Sequence, residues 1–361
     1  MIERLKYHFE PQKGWINDPN GLVFFRGRYH IFFQHVPYAL VSGHMHWGHA
    51  VSDDLIHWEE LPIALYPDQP YESSGGCYSG SAVVKDDRLF LFYTSVSHDL
   101  EQTQSIAYSD DGISFTKYSE NPVIVDAPIG NNENFRDPKV TLIGDTYYMV
   151  CGSSAGYVGH VLLYKSTGLF DWEYAGVVFN QPGYGPVSEC PDLFEFEGKY
   201  VLLLSKQGAI EYSSLAIYGD FDGEIFTPVS IHCFEAGPDF YAPQTFEDGR
   251  GRRIMIGWLY NWEKKTPEGV DYVGALTIPR EIKMKDGKLI NFPVEEAWHL
   301  LTDADEHVRV RGNEVEMFDG EKVVMTLRPD AVHDVKILRD TKTIEVFVNG
   351  GEMSASFWYS K

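Results

Sequence analysis

The sequence predicts an all-β protein, a five-bladed β-propeller with a shortened, sandwich-like C-terminal β-module, and three observations carry that expectation. Helix-period patterns are scarce along the 361 residues, whereas short aromatic and β-branched runs broken by Asp/Gly turns follow one another closely. One unit recurs, in which an apolar run, a tight polar turn and a second apolar run are followed by another such pair. Unit starts fall roughly 50–60 residues apart, which is the period of four-stranded blades set radially.

The five first hairpins are read from their turns. Residues 22–33 fold around Arg26-Gly27-Arg28, 82–93 around Asp86-Asp87-Arg88, 140–150 around Gly144-Asp145, 193–204 around Glu197-Gly198-Lys199, and 245–258 around residues 247–252. The second pairs are 49–64, 105–125, 161–179, 215–229 and 275–290. A β-sandwich can be made of the same hairpins, but it does not require a period of this length. The period ends near Asn291, so the propeller is expected at residues 1–292 and the smaller module at 293–361. There, residues 294–301 read as a linker or helical turn. Alternating runs between Val308 and Tyr359 read as a small antiparallel sheet packed on the propeller.

Charge narrows the partners. Lys+Arg 30 against Asp+Glu 53 gives a formal net charge of -23, which disfavours nucleic acid and anionic membrane surfaces and favours a neutral partner. Aromatic residues make up 14% of the chain, enough both to fill a large β core and to stack on sugar faces. The start lacks an apolar signal region, and no run of about 18 apolar residues occurs, so a cytoplasmic location is expected, with neither export signal nor membrane span. Cys77, Cys151, Cys190 and Cys233 are far apart and read as free thiols.

Chemistry gathers at one point of the repeat. Eight residues before each first-hairpin turn stands a polar or aromatic group: Asp18, Tyr78, Asp137, Glu189 and Asp239. If each first strand lines the central channel, these positions ring one mouth, and three carboxylates converge there beside Arg136. Carboxylate pairs of this kind cleave glycosidic bonds, one ionised as nucleophile and one protonated as acid, with crowding to separate their pKa values. A metal site is the competing use of three carboxylates. The arginine within the cluster argues against it, so neither metal nor cofactor is expected. His44, His46 and His49 alternate on an extended rim segment and read as solvated or substrate-facing rather than as metal ligands. Ser73-Ser74-Gly75-Gly76 is a turn without the Gly-Lys-Ser/Thr of a phosphate loop.

The ordered motifs Trp15–Gly21 (WINDPNG), Tyr78-Ser79-Gly80-Ser81, Phe135-Arg136-Asp137-Pro138 and Glu189-Cys190-Pro191-Asp192 resemble family 32 of the glycoside hydrolases, whose members act on β-fructofuranosides. Supporting stretches are Trp47–Ser52, Phe240–Gln244 and Thr277–Glu281. The resemblance covers nearly all the propeller. It implies Asp18 as nucleophile, Glu189 as acid/base and Asp137 as the carboxylate that holds fructose hydroxyls and stabilises the transition state. It also implies a fructose subsite shaped by Asn17, Gln34, Trp47, Ser79, Arg136 and Tyr241, with Tyr78, Trp262, Trp15 and Trp258 as walls.

Two departures stand out. Gln34-His35-Val36-Pro37 replaces the Asn-Pro that follows this Gln in many relatives, and the loop at 38–45 is atypical. The expected activity is retaining, exo-acting release of fructose from sucrose or short fructo-oligosaccharides. Sucrose 6-phosphate ranks lower because no Arg/Lys pair is evident at the rim. Exo-levanase or exo-inulinase action and a non-catalytic fructan-binding sensor are the alternatives.

Overall fold

The computed structural model describes residues 3–359. Sheet one holds β1 (Gly14–Phe25), β2 (Arg28–Val36), β3 (His46–Ser52) and β4 (Trp58–Leu65). Sheet two holds β5 (Gly76–Lys85), β6 (Arg88–Ser97), β7 (Glu101–Ser109) and β8 (Thr116–Lys117). Sheet three holds β9 (Arg136–Ile143), β10 (Thr146–Ala155), β11 (Val158–Ser166) and β12 (Glu173–Phe179). Sheet four holds β13 (Ser188–Phe196), β14 (Lys199–Lys206), β15 (Ser214–Phe221) and β16 (Phe226–Cys233). Sheet five starts with β17 (Tyr241–Glu247) and β18 (Arg253–Trp258); after β19 (Tyr272–Val273) it resumes with β20 (Arg280–Lys285) and β21 (Lys288–Pro293).

Within each sheet the neighbours are antiparallel and follow chain order, as tight polar turns dictate. The first strands touch one another in sequence: β1 meets β5, β5 meets β9, β9 meets β13, β13 meets β17, and β17 returns to β1. Apolar side chains fill each gap between consecutive sheets. Trp47 and Leu91 lie between sheets one and two, Phe92 and Met149 between two and three, and Leu163 and Leu202 between three and four. Phe194 and Met255 lie between four and five, and Ile31 and Ile256 between five and one. Sheets covered on both faces need nearly continuous apolar strands, which is why β2 and β6 are buried almost throughout, whereas the outer strand β4 alternates with polar residues.

β19 leaves its sequence neighbours and pairs in parallel with the start of β1, matching Gly14 to Tyr272 and Trp15 to Val273. Gly14 is required at this junction: its φ is 85°, and a Cβ there would stand 2.2 Å from the Val36 carbonyl oxygen.

All five first strands break register at the same level. The pairing slips between Ile16 and Pro19, between Tyr78 and Gly80, opposite Val150–Gly152 in β9, between Glu189 and Asp192, and between Tyr241 and Gln244. Four of these bulges contain a proline: Pro19, Pro138, Pro191 and Pro243. Proline cannot donate to the ladder, and a bulge on an inner strand accommodates it while re-aiming the preceding side chain. Asp137, Cys190 and Ala242 sit at φ 65°, 47° and 49°, a left-handed conformation that non-glycine residues seldom adopt.

A 3-10 turn at Glu295–Leu300 follows sheet five. Then come β22 (Leu301–Thr302), β23 (Val308–Arg311), β24 (Glu314–Asp319), β25 (Lys322–Leu327), β26 (Val335–Arg339), β27 (Thr343–Val348) and β28 (Met353–Trp358). They form two sheets, β23-β24-β25 and β22-β26-β27-β28, where a small sandwich-like module is expected. The reason is physical: Val315, Met317 and Leu327 of one sheet share an apolar cluster with Ile337, Val346 and Phe357 of the other, so each covers its partner.

The opposite face of the four-stranded sheet meets sheet five through buried charge. Arg280 of β20 donates to Glu345 at 2.5 Å and to Glu235 at 2.6 Å. His8 reaches Asp340 at 2.9 Å and Glu345 at 2.6 Å. Among the described residues no helix is long and apolar enough to cross a membrane.

Candidate active site

The bulges place their side chains at one mouth of the ring. Asp18, Asp137 and Glu189 line a single cavity of about 290 Å³ together with Asn17, Gln34, Tyr78, Ser79 and Arg136. A second lobe of about 360 Å³ is lined by Tyr241, Trp258 and Gln207, and Glu189 and Trp262 border both lobes.

Asp18 is held at both oxygens. Ser79 Oγ donates to Oδ2 at 2.6 Å and Asn17 Nδ2 to Oδ1 at 3.0 Å. Trp15 Nε1 in turn donates to Asn17 Oδ1 at 2.8 Å, which fixes the amide with its nitrogen toward the carboxylate. Burial raises the Asp18 pKa above the usual carboxylate range, the Ser79 and Asn17 bonds oppose that rise, and the Glu189 charge adds to it.

Asp137 lies deeper. Its Oδ2 accepts the Cys190 amide at 2.9 Å, and its own amide donates to Thr94 Oγ1 at 3.0 Å. Burial lifts its pKa to about 7; Arg136 pulls the other way, while Glu189 and Asp18 push it further up. The Cys190 thiol touches both aspartates, at 3.7 Å from Asp18 Oδ2 and 3.6 Å from Asp137 Oδ2.

Glu189 is gripped from three elements. Arg136 donates to Oε1 from Nη2 at 2.7 Å and from Nε at 3.2 Å, and Gln207 Nε2 donates to the same oxygen at 3.2 Å. The Tyr241 hydroxyl donates to Oε2. Arg136 itself is oriented by Gln102 at 3.1 Å and Asn134 at 3.2 Å, so each of its three nitrogens has an acceptor. The site therefore presents one carboxylate bound by neutral donors, one bound by a cation and a phenol, and one buried between them.

The remaining sequence candidates divide into lining and support. Tyr78 lines the cleft, and Trp262, 53% exposed, stacks on Trp15 at 5.6 Å to form an aromatic rim. Gln34 borders the cavity while its Nε2 donates to the Cys77 carbonyl at 2.9 Å. Trp47 is fully buried and stands behind the wall, donating from Nε1 to the Tyr78 carbonyl at 3.0 Å.

Two expectations are corrected. Asp239, the fifth position of the repeat, is outside the carboxylate cluster; it is buried against Lys264 at 2.6 Å and the Trp358 amide at 2.7 Å, so Tyr241 at the next bulge supplies sheet five's contribution. His49 neither is solvated nor faces the cleft: it is fully buried, stacked on Phe32 at 4.2 Å and bonded to His30 at 3.0 Å. His46 is buried too, and only His44 keeps partial exposure. Cys190, Gln102, Thr94 and Gln207 were not foreseen as site residues. Cys190 stands beside Glu189 in the motif, whereas Thr94 and Gln102 come from a second and a third strand and Gln207 from the turn after β14, where no spacing rule marks them.

Residues 8–293 match the model of the glycosyl hydrolases family 32 N-terminal domain. The sucrose-6-phosphate hydrolase of Zymomonas mobilis is 39% identical over 318 residues, which is 80% of this chain and 62% of that protein. The levanase of Bacillus subtilis is 40% identical over 81% of this chain and 47% of its own length. The chain thus matches less than two thirds of the length of these relatives. Among solved structures, the Bombyx mori GH32 beta-fructofuranosidase superposes with a TM-score of 0.88 at 32% identity, over 99% of this chain and 89% of that one. A variant of the same silkworm protein has been solved in complex with sucrose. With the motifs, the family model and the relatives in agreement over the five sheets, the chain belongs to glycosyl hydrolase family 32.

Proposed function

We propose that the protein is a retaining, exo-acting β-fructofuranosidase that releases fructose from unphosphorylated sucrose and fructo-oligosaccharides. The five sheets are read as five propeller blades over residues 1–292, with residues 293–361 as a sandwich-like module that carries no site residue. The observation that carries the reading is the convergence of Asp18, Asp137 and Glu189, each differently held, on one cavity.

Asp18, bound only by neutral donors, attacks C2 of the fructosyl unit while Glu189 gives its proton to the glycosidic oxygen and the leaving sugar departs. Glu189 then takes a proton from water, which attacks C2 and frees Asp18. Glu189 borders both lobes, a position that suits a proton donor to the leaving oxygen. Asp137, at the base beside Asp18, is placed to accept fructose hydroxyls. Asn17, Ser79 and Arg136 hold the carboxylates, Gln34, Tyr78 and Tyr241 shape the fructose pocket, Trp262 walls it, and Trp47 keeps Tyr78 in place from behind.

Charge supports the neutral leaving group. Glu133 and Glu263 border the two lobes, and among the described lining residues Arg136 is the one cation, already committed to Glu189. A phosphate would meet repulsion without a basic clamp. Fructose release measured on sucrose, sucrose 6-phosphate and a fructo-oligosaccharide, compared by kcat/KM, tests this. The reading fails if none is cleaved, and the neutral assignment fails if the phosphorylated sugar is preferred. Asp18→Asn should abolish turnover in a folded protein.

A further inference from the structure

Where sheets one and two meet at their outer edge, a second cavity of about 310 Å³ is bordered by Tyr66, Asp68, Gln69, Tyr71 and Tyr118. It lies apart from the carboxylates. Lys117 is at its wall, but its ammonium donates to the Tyr66 carbonyl, to Asp68 at 2.7 Å and to Glu72 at 2.6 Å, so all three protons are taken. A cavity with aromatic walls, hydrogen-bonding edges and no free cation among its described lining residues suits a neutral polyhydroxylated ligand, which can lay an apolar face on a ring and turn its hydroxyls to the polar rim.

A line of rings leads from the cavity to the loop that borders the catalytic mouth. Tyr66 follows the end of β4, and its ring meets His46, the first residue of β3, edge-on at 5.7 Å. His46 meets Tyr38 edge-on at 5.9 Å. Tyr38 and Tyr66 are 68% and 51% exposed, so neither ring is there to fill a core. The loop that carries Tyr38 continues through Ser42 and Met45, and both of those line the catalytic cleft. This loop is tied down: Met45 N donates to the Gly75 carbonyl at 2.9 Å, His44 Nε2 bonds the Glu72 carbonyl at 2.9 Å, and Thr266 Oγ1 donates to the Leu40 carbonyl at 3.2 Å. A platform held in place binds with less ordering loss.

We propose that the exposed rings of Tyr38 and Tyr66, held on either side of the buried His46, form with the cavity beyond them a binding track for the distal units of a neutral fructan chain whose terminal fructosyl unit occupies the catalytic cleft. The proposal rests on the fructofuranosidase reading and deepens it by assigning the distal units of chains longer than sucrose a site of their own. Binding energy from the remote units would lower KM for long chains and leave sucrose, too short to reach Tyr66, unaffected.

The test is the double variant Tyr38→Ala/Tyr66→Ala in the full-length protein, measured on sucrose and on inulin-type and levan-type fructan. KM for the preferred fructan should rise about three- to tenfold, with kcat and the sucrose constants within about twofold of the parent. Unchanged fructan KM, or an equal loss on sucrose, overturns the track. A binding arm needs no turnover: Asp18→Asn protein should be retarded in a native gel containing fructan but not in one containing dextran, and the added Tyr38→Ala/Tyr66→Ala changes should abolish most of that retardation. Retardation unaffected by the tyrosines, or absent altogether, also overturns it. Were the parent to release fructose from no substrate, the catalytic reading would fall while the gel still decided the track.

Discussion

Ser79 and Asp18 stand on different sheets, yet the serine hydroxyl donates to Oδ2 of Asp18 at 2.6 Å and leaves the other oxygen to Asn17. The bulges in β1 and β5 make this possible, because each turns its side chain out of the pleat toward the channel. If Asp18 is the nucleophile, Ser79 sets its angle of attack. Ser79→Ala is expected to lower kcat about 10–100-fold with a small change in KM and an unchanged melting curve. Steady-state kinetics with sucrose would show this, and a wild-type kcat would mean that Ser79 does not orient the carboxylate.

Glu189→Ala should leave slow turnover that azide and activated leaving groups partly restore. An activated leaving group needs no proton donor, and azide replaces the water that Glu189 would deprotonate. Equal damage to natural and activated substrates would show instead that the loss is one of binding.

Asp137→Asn is expected to inactivate the enzyme and stabilise the fold at neutral pH. With a folded-state pKa of about 7, Asp137 binds its proton more tightly folded than unfolded, so its contribution to stability falls as pH rises from the ordinary carboxylate value through 7. Removing that buried charge should raise Tm by a few degrees at pH 7.5 and by little at pH 4, as read by thermal melts. Equal effects at both pH values would contradict the assignment.

His8 gives the opposite sign. Its pKa is raised to about 9 by hydrogen bonds and charge from Asp340 and Glu345, which outweigh burial. Its stabilisation is therefore full below about pH 6.5 and lost as pH rises through 9, a loss on the order of 3 kcal/mol. The Glu345 pKa is depressed to about 2 by Arg280 and His8 against the effect of burial, so its contribution persists until strongly acid pH. His8→Gln should be less stable at pH 6 and should lose less stability than the parent between pH 7 and 9. Parallel pH–Tm curves for the two proteins would refute the role of His8.

Deleting residues 301–361 would remove Glu345 and Asp340, leaving His8 and one fork of Arg280 without partners and exposing the apolar edge of sheet five. The truncated chain is expected to aggregate or melt well below the parent, while any folded fraction cleaves the same bond. A monodisperse truncation with unchanged Tm would show that the C-terminal sheets do not support the rest.

Much of this was legible because turn chemistry and hydrophobic period are local. Arg26-Gly27, Asp86-Asp87 and Glu197-Gly198 announce their hairpins, and the offset from turn to carboxylate picks out Asp18, Asp137 and Glu189, which line one cavity. The same offset failed at Asp239 because the sheet-five hairpin is longer at its turn, which moves the bulge to Ala242-Pro243 and brings Tyr241 into the site. His49 misled because alternation says which face a residue takes and not what covers that face; here the second sheet does, through Phe115. Gln102, Gln207 and Thr94 were invisible for a related reason. Gln102 and Thr94 belong to strands defined by packing and Gln207 to the turn that follows one, and their polarity is explained only by the partner that folding delivers.

The parallel pairing of Gly14–Trp15 with Tyr272–Val273 has a consequence for biosynthesis. The strand that secures the base of the segment carrying Asp18 is made some 250 residues after that segment. A nascent chain can zip its hairpins one after another as they emerge, since each closes locally. The base of the Asp18 strand, however, lacks this pairing until translation has passed Val273. Appearance of hydrolytic activity on stalled chains of increasing length should thus come in a single step after that point, which makes turnover itself the clock for completion of the ring.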